Sequence, residues 1–271
     1  MSATLSATVP PDTWASGDAY ERYVGRWSRM VAPKFLHWLT VAPGARWLDV
    51  ACGTGALSET ILREKMPSRI KGIDRSEGFI THARQHIHDE RAEFQVGDAQ
   101  ALPEETASYD VIVSGFALNF FPQPKQAVSE MTRVVKHDGT VALYVWDYAG
   151  KMQFLRHFFN AAAALDPNAI DLDEGRRFPL CQPEPLEKLF QSVGLSQVQV
   201  RAIDIDTDFA NWDDYWSPFL GGQGPAPSYA MSLSEEKRAA LAERIRAGLP
   251  FAIDGSIPLV ARAWAVRGVR Q

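Results

Sequence analysis

The sequence predicts an α/β fold, a seven-stranded and mostly parallel sheet with helices on both faces. Two observations lead to this prediction. Short β-type runs alternate with helix-type runs over the first two-thirds of the chain, a pattern typical of a parallel sheet. The run Asp110–Ser114 also has an unbroken apolar centre, as expected for a strand that is covered on both faces.

The strand predictions rest on short apolar runs bounded by turn residues. In chain order they are Arg46–Val50, Arg69–Asp74, Ala92–Val96, Asp110–Ser114, Val141–Trp146, Val198–Ile205 and Ile257–Val266. The helices are predicted from capping residues or from apolar residues at helical spacing. They are Asp18–Leu39, the segment after Gly55, the segment capped by Ser76, a stripe over Ala127–Val135, Lys151–Leu165, Glu184–Val193 with Gly194 as its C-cap, and Glu235–Ala247 capped by Ser232 or Ser234. Turns are predicted at His137–Gly139 and Gly221–Pro225.

The domain organisation follows from the regularity of this pattern. Residues 1–17, which contain Pro10 and Pro11, are expected to form a flexible tail. We expect residues 18–271 to form a single domain, with an N-terminal helical lead-in and a core at 40–148. Irregular aromatic segments at about 150–180 and 207–250 are expected to form a helical lid.

Composition excludes several classes of protein. Of the 271 residues, 46% are hydrophobic and the net charge is only −5, which is unlike a disordered chain. Two cysteines cannot form a disulfide scaffold and favour reduced thiols in the cytoplasm. No apolar run approaches the ~20 residues of a membrane helix, and the N-terminus does not resemble a secretory signal. The absence of a basic stripe argues against nucleic-acid binding.

The glycine-rich turn that follows the first strand is the most informative segment. Gly53 and Gly55 would let the backbone approach a ligand closely, since a Cβ there would collide with it. The helix that starts at this turn presents free N–H groups and a partial positive charge, which suit a carboxylate or a phosphate. A tight turn without a ligand is the simpler interpretation.

Two further acidic residues are predicted at the ends of the next strands. Asp74 closes the second strand about 20 residues after Gly55, where a carboxylate can accept hydrogen bonds from ribose hydroxyls. Asp98 follows the third strand and could read an adenine amine, while the backbone of Ala99 reads the ring. A helix cap and a polar loop are the respective alternatives. Because ligands of open α/β sheets lie at the carboxyl ends of the strands, we expect the three segments to form one site.

These residues resemble the class I S-adenosylmethionine-dependent methyltransferases, in particular the small-molecule branch (methyltransferase type 11) that includes ubiquinone- and menaquinone-biosynthesis enzymes. The resemblance covers about Tyr20–Tyr148 and rests chiefly on the motif Asp49–Gly55. It implies a Rossmann-like sheet and S-adenosylmethionine as the cofactor. Supporting motifs are Gly72–Ser76, Gly97–Pro103, Tyr109–Ser114 and Tyr23–Ser28.

The resemblance also implies roles for individual residues. Ala51, Gly53 and Gly55 would pass under the methionine part of the cofactor, and Asp49 would lie near its amino group. Asp74 would take the ribose hydroxyls, Arg75 would flank the adenine, and Asp98 and Ala99 would read its edge. Ser114 and Phe116 would line the cleft near the sulfonium. Tyr23 or Arg26 could close over the methionine carboxylate, although a surface ion pair is an equal interpretation of Arg26.

Two other nucleotide-binding classes fit the turn less well. A nicotinamide dehydrogenase would carry a third glycine, and Ser58 stands at that position. A P-loop enzyme is excluded because no Gly-Lys-Ser/Thr follows the turn. We also find no His, Asp or Glu cluster with the spacing of metal ligands, so no metal is expected.

The acceptor of the methyl group is the least determined part of the prediction. Asp147, Tyr148 and His157 are candidates for a general base, with capping, packing and a solvated helix position as alternatives. Asn119, Phe158, Trp212 and Trp216 are candidates for an acceptor pocket that suits apolar or aromatic small molecules, although such rings are more often core residues. Asn119 stands where this branch often has a histidine.

Two functions therefore remain open. The chain is a small-molecule methyltransferase, or it binds S-adenosylmethionine as an inactive regulatory or partner protein. The sequence does not determine the oligomeric state or the atom that is methylated.

Overall fold

The computed structural model describes residues 25–221 and 224–271. The predicted tail, the first part of the lead-in helix, and Tyr23 lie outside the described residues. So do residues 222 and 223, the centre of the predicted break. In the described part of the chain, no helix is long and apolar enough to cross a membrane.

The sheet has the seven strands that the sequence predicts, and the predicted fold class is confirmed. Strands β1 to β5 all run parallel, β7 pairs antiparallel with β5, and the order across the sheet is β3-β2-β1-β4-β5-β7-β6. The strands are β1 (Arg46–Val50), β2 (Arg69–Asp74), β3 (Ala92–Val96), β4 (Tyr109–Gly115), β5 (Val135–Trp146), β6 (Leu195–Asp206) and β7 (Val260–Arg270).

The helices follow the predicted segments closely. Ser76 caps its helix by accepting a hydrogen bond from Phe79 N–H, and Ser234 does the same for Lys237 N–H. Ser232 is not the cap. The helices are α1 (Arg26–Leu39), α2 (Ala56–Glu64), α3 (Glu77–His86), α4 (Pro124–Val134), α5 (Gln153–Leu165), α6 (Glu174–Arg177), α7 (Pro183–Ser192), α8 (Trp212–Trp216), α9 (Pro225–Ser232) and α10 (Glu235–Gly248).

Several strand boundaries were predicted wrongly: β6 starts at Leu195 rather than at Val198, β7 ends at Arg270 rather than at Val266, and two further differences concern the starts of β5 and β7. The segment His137–Gly139 is not a turn between elements, because β5 starts at Val135 and continues through it. Tyr109 pairs with Val135 while Val111 pairs with Thr140, so the extra residues form a bulge, and Asp138 has a φ of 59° there. The last strand starts at Val260 rather than at Ile257, since Ile257 forms an isolated bridge with Phe209.

Packing divides the chain into two compact units. The sheet unit comprises residues 27–147, 178–205 and 261–271. Its interior is built from the β-branched and aliphatic residues of the central strands; Leu48, Val50, Ile112 and Val113 are fully buried. Because these central strands are covered on both faces, most of their residues are apolar.

The helical unit comprises the described residues 25–26, 148–177, 206–221 and 224–260. Its centre is aromatic. The ring of Phe158 stacks on that of Phe219 with centroids 4.7 Å apart, and the buried hydroxyl of Tyr215 donates to the carbonyl of Phe154 at 2.7 Å. These segments coincide with the predicted lid; whether they act as a lid of one domain stays a prediction.

Close packing at Gly72 on β2 gives a stability prediction. A Cβ at Gly72 would lie 2.5 Å from the ring of Phe94 and 2.9 Å from the sulfur of Cys52. We expect Gly72→Ala to lower the free energy of unfolding by about 1–3 kcal/mol, because this core must expand. Gly78→Ala is the control, since a Cβ there meets only the Ser76 hydroxyl at 3.8 Å and alanine favours the helix. Urea unfolding of both variants measures the difference; equal stabilities would contradict the prediction.

Candidate active site

The ends of the first three strands are joined by hydrogen bonds around Asp74. Its Oδ2 accepts from the N–H of Gly53 at 3.0 Å, and its carbonyl oxygen accepts from the N–H of Gly97 at 3.0 Å. Gly97 directly precedes Asp98. The structure therefore brings the glycine-rich turn, the end of β2 and the end of β3 to one edge of the sheet, as the sequence analysis expected.

The glycine-rich turn has left-handed backbone at alternate residues. The φ angles are 56° at Ala51, 55° at Gly53 and 90° at Gly55, and Gly55 is the N-cap residue of α2. A Cβ at Gly55 would come within 2.5 Å of Ile87, so this glycine is needed for packing. A Cβ at Gly53 would meet nothing within 4 Å, so the protein leaves space beside Gly53.

Asp49 is a buried carboxyl group beneath this turn. Its Oδ2 accepts a hydrogen bond from the Ser58 hydroxyl at 2.7 Å, while its Oδ1 is buried without a hydrogen-bond partner in the described part of the chain. Burial raises the pKa of Asp49 to about 7. The hydrogen bond from Ser58 lowers this pKa, and the negative charge of Asp74 raises it further. A cation placed beside it would stabilise its charged form.

Asp74 is 8% exposed and holds both the turn and the next helix. Besides Gly53, it accepts from Ser76 N–H through Oδ1 at 2.8 Å, while Ser76 itself caps α3. The functional and the capping interpretations of Asp74 are therefore compatible. Each carboxylate oxygen has two lone pairs, so both can accept a further hydrogen bond.

The residues predicted to surround the adenine lie next to Asp74. Asp98 is exposed and accepts from Gln100 N–H at 2.9 Å, and Ala99 is buried. Arg75 is exposed directly after β2. The structure brings these residues to the same edge, and their contacts with a base stay a prediction.

Polar groups without partners follow at the end of β4. The buried hydroxyl of Ser114 and both polar atoms of the Asn119 amide have no hydrogen-bond partner among the described residues. Between them in sequence, Phe116 has a φ of 55°. Its ring stacks on that of Trp146, with the ring centroids 4.0 Å apart. Unsatisfied buried groups and strained backbone are concentrated at binding sites in folded proteins.

The three candidate bases are assigned to two different packing units. Asp147 belongs to the sheet unit, is 4% exposed, and donates its backbone N–H to the Arg262 carbonyl. Tyr148 and His157 belong to the helical unit, where Tyr148 is buried and His157 is half-buried. Burial lowers the pKa of His157, which favours its neutral form.

The remaining predicted residues lie in the helical unit. The guanidinium nitrogen Nη1 of Arg26 lies 2.8 Å from Oδ1 of Asp214, so Arg26 forms the ion pair that was one of its two interpretations. The other interpretation, a contact with the methionine carboxylate, stays a prediction. Phe158 is fully buried in the aromatic core and packs there. The rings of Trp212 and Trp216 stack with their centroids 5.6 Å apart. Both side chains are partly exposed, so a ligand can reach them.

Sequence reasoning missed three contributors to the site. Ser58 was noted only as a departure from the dinucleotide motif, yet it donates to the buried Asp49. Tyr144 and Trp146 pack against the Phe116 ring, and the sequence signal that could have found them was the aromatic pattern at the end of β5.

In the described residues no three His, Cys, Asp or Glu side chains form a group that could hold a metal.

The comparisons with known proteins agree with this geometry. Residues 48–143 match the family described as methyltransferase domain. The chain is 28% identical over 174 residues to the demethylmenaquinone methyltransferase of Staphylococcus aureus, covering 60% of this chain and 72% of that protein.

Solved structures share the fold at low sequence identity. The YcgJ protein of Bacillus subtilis has a TM-score of 0.58 and 18% identity, over 91% of this chain and 99% of its own. A phosphoethanolamine N-methyltransferase of Haemonchus contortus, in complex with S-adenosyl-L-methionine, has a TM-score of 0.57 and 16% identity, over 93% of this chain and 56% of its own. Together, the matched segment and the shared fold make residues 48–143 similar to a methyltransferase domain, and they support the S-adenosylmethionine-dependent enzyme class and the cofactor that the sequence predicts.

Proposed function

We propose that the edge formed by the β1, β2, β3 and β4 ends binds S-adenosylmethionine and transfers its methyl group to a small apolar or aromatic molecule. The observation that carries this proposal is the bond between Gly53 N–H and the Asp74 carboxylate, with open space beside Gly53. This arrangement leaves room for a ligand and presents a carboxylate that suits a ribose diol.

The residues at this edge fit the cofactor chemically. The unpartnered Oδ1 of Asp49 suits the cofactor's ammonium group, and the first N–H groups of α2 suit its carboxylate. Asp98 and Ala99 would read the adenine edge, and Arg75 would flank it. Ser114 and Phe116 would lie near the sulfur. Arg26 or Tyr23 remains part of the proposal as a partner of the methionine carboxylate, and Tyr23 lies outside the described residues.

The chemistry needs positioning more than activation. S-adenosylmethionine supplies a methyl group bonded to a positively charged sulfur, which is already a good leaving group. The acceptor's electron pair forms the new bond as the carbon–sulfur bond breaks, and the protein orients both partners and excludes water. An acceptor that loses a proton would pass it to one of the candidate bases, Asp147, Tyr148 or His157.

Aromatic rings support the choice of an apolar or aromatic acceptor. The ring of Phe116 stacks on that of Trp146, and the amide of Asn119, three residues after Phe116, has no hydrogen-bond partner among the described residues. The predicted pocket residues Trp212 and Trp216 are partly exposed and stack on each other. The name of the S. aureus relative, demethylmenaquinone methyltransferase, also points to an aromatic acceptor. The H. contortus neighbour is named for phosphoethanolamine, so the fold alone does not choose the acceptor.

Turnover tests the proposed activity directly. The protein is incubated with methyl-labelled S-adenosylmethionine and a metabolite extract, and labelled products are separated by chromatography and mass spectrometry. We expect a labelled product of low polarity that is absent when Gly53→Val replaces the wild type. Binding of the cofactor without any labelled product would support an inactive binding protein instead.

The space beside Gly53 gives a second prediction. Gly53→Val would fill this space, so binding of S-adenosylhomocysteine should fall below detection in calorimetric titration. Gly44→Val is a matched control: Gly44 also has a positive φ and open space, but it lies in the turn before β1. Both variants carry similar backbone strain, about 1–2 kcal/mol. Equal binding by the two folded variants would overturn the role of Gly53.

The buried carboxyl of Asp49 gives a pH prediction. With a pKa of about 7, Asp49 is mostly neutral below that pH and charged above it. Since a cationic amino group binds the charged form better, affinity for S-adenosylhomocysteine should rise as the pH rises from about 6 to about 8. Asp49→Asn keeps a similar shape and removes the charge, so its affinity should vary less over this range. The same pH dependence in both proteins would contradict the assignment.

A further inference from the structure

Three of the six histidines lie within one short segment at the end of α3. His82 and His86 are separated by one helical turn and are both exposed, whereas Ile80 and Ala83 of the same helix are buried. Their rings are stacked, with centroids 3.9 Å apart and planes inclined by 17°. The methyl-transfer site uses neither side chain.

The hydrogen bond made by His86 determines which of its nitrogens is available. Its Nδ1 lies 2.8 Å from the carbonyl oxygen of His82. A carbonyl oxygen can only accept, so Nδ1 carries the hydrogen, and in the neutral ring Nε2 keeps a lone pair. Histidines that bind metals commonly donate the other ring N–H to a carbonyl in this way, which orients the ring.

The His82 ring completes a pair of nitrogen ligands. In the observed stack the two rings lie face to face, so their nitrogens do not yet converge on one point. The His82 ring is exposed and makes no hydrogen bond to another described residue, so we expect it to turn about its side-chain bonds until its nitrogen and the Nε2 of His86 face one ion. No third His, Cys, Asp or Glu of the described residues joins them, and water would fill the other positions. Imidazole pairs of this kind suit Cu²⁺, Ni²⁺ and Zn²⁺, with Cu²⁺ bound most tightly.

We propose that His82 and His86 form a surface site for a divalent transition-metal ion that clips the last turn of α3. A metal bound at both ends of one turn stabilises the helical conformation, because the unfolded chain does not hold the two rings together. The site is independent of the methyl-transfer reaction.

Copper binding to the tag-free protein tests the proposal. Cu²⁺ is titrated in a non-coordinating buffer by calorimetry, and electron paramagnetic resonance counts the coordinated nitrogens. We expect one ion bound per chain with two imidazole nitrogens, and His82→Ala and His86→Ala should each weaken binding at least about tenfold. Alanine is a good helix former, so circular dichroism should show both variants folded.

His137→Ala is the matched control, because His137 is exposed on β5 and lies beside a single acidic group, Asp138. This variant should bind Cu²⁺ like the wild type. Unchanged copper affinity in both His82→Ala and His86→Ala, a signal from one nitrogen only, or an equal loss in His137→Ala would overturn the proposal. Affinity for S-adenosylhomocysteine should be the same in all three variants.

Discussion

The carboxylate of Asp74 is the group on which the arrangement of the sheet edge depends. It accepts backbone N–H groups from the glycine turn and from the start of α3, and its own carbonyl accepts from the β3 loop. Backbone donors at buried chain reversals need partners, and leaving one unsatisfied costs about 1–3 kcal/mol. One side chain thus satisfies two loops and still keeps lone pairs for a ligand.

The electrostatics of this edge follow from placing a second carboxyl group close to the first. Asp49 is buried near the charge of Asp74, and the hydroxyl of Ser58 offsets only part of that burial. Burial, together with the charges of Asp49 and Asp74, also raises the pKa of the Cys52 thiol, which favours its protonated form. A site of this kind attracts a cationic group, which matches a ligand that carries an ammonium and a sulfonium.

The glycines around the edge serve two distinct purposes. Gly55, Gly72 and Gly97 lie where a Cβ would come within 3 Å of neighbouring side chains, so they permit close packing of helices and strands. Gly53 has open space instead, and its place in the proposed site would let a ligand approach the backbone closely. The motif therefore contains glycines in two different surroundings, one tightly packed and one open, although both appear in the sequence as the same residue type.

The sequence by itself determined the fold class, the strand order along the chain and the residues that meet at the sheet edge. These depend on local signals: apolar runs, capping residues and glycines immediately after strands. Only the tertiary structure decided that Ser58 supports Asp49, that His137–Gly139 is a bulge within β5, and that Phe116 is held between Tyr144 and Trp146. Each of these depends on neighbours that are distant in sequence, and residue spacing carries no information about which distant side chains share a buried space.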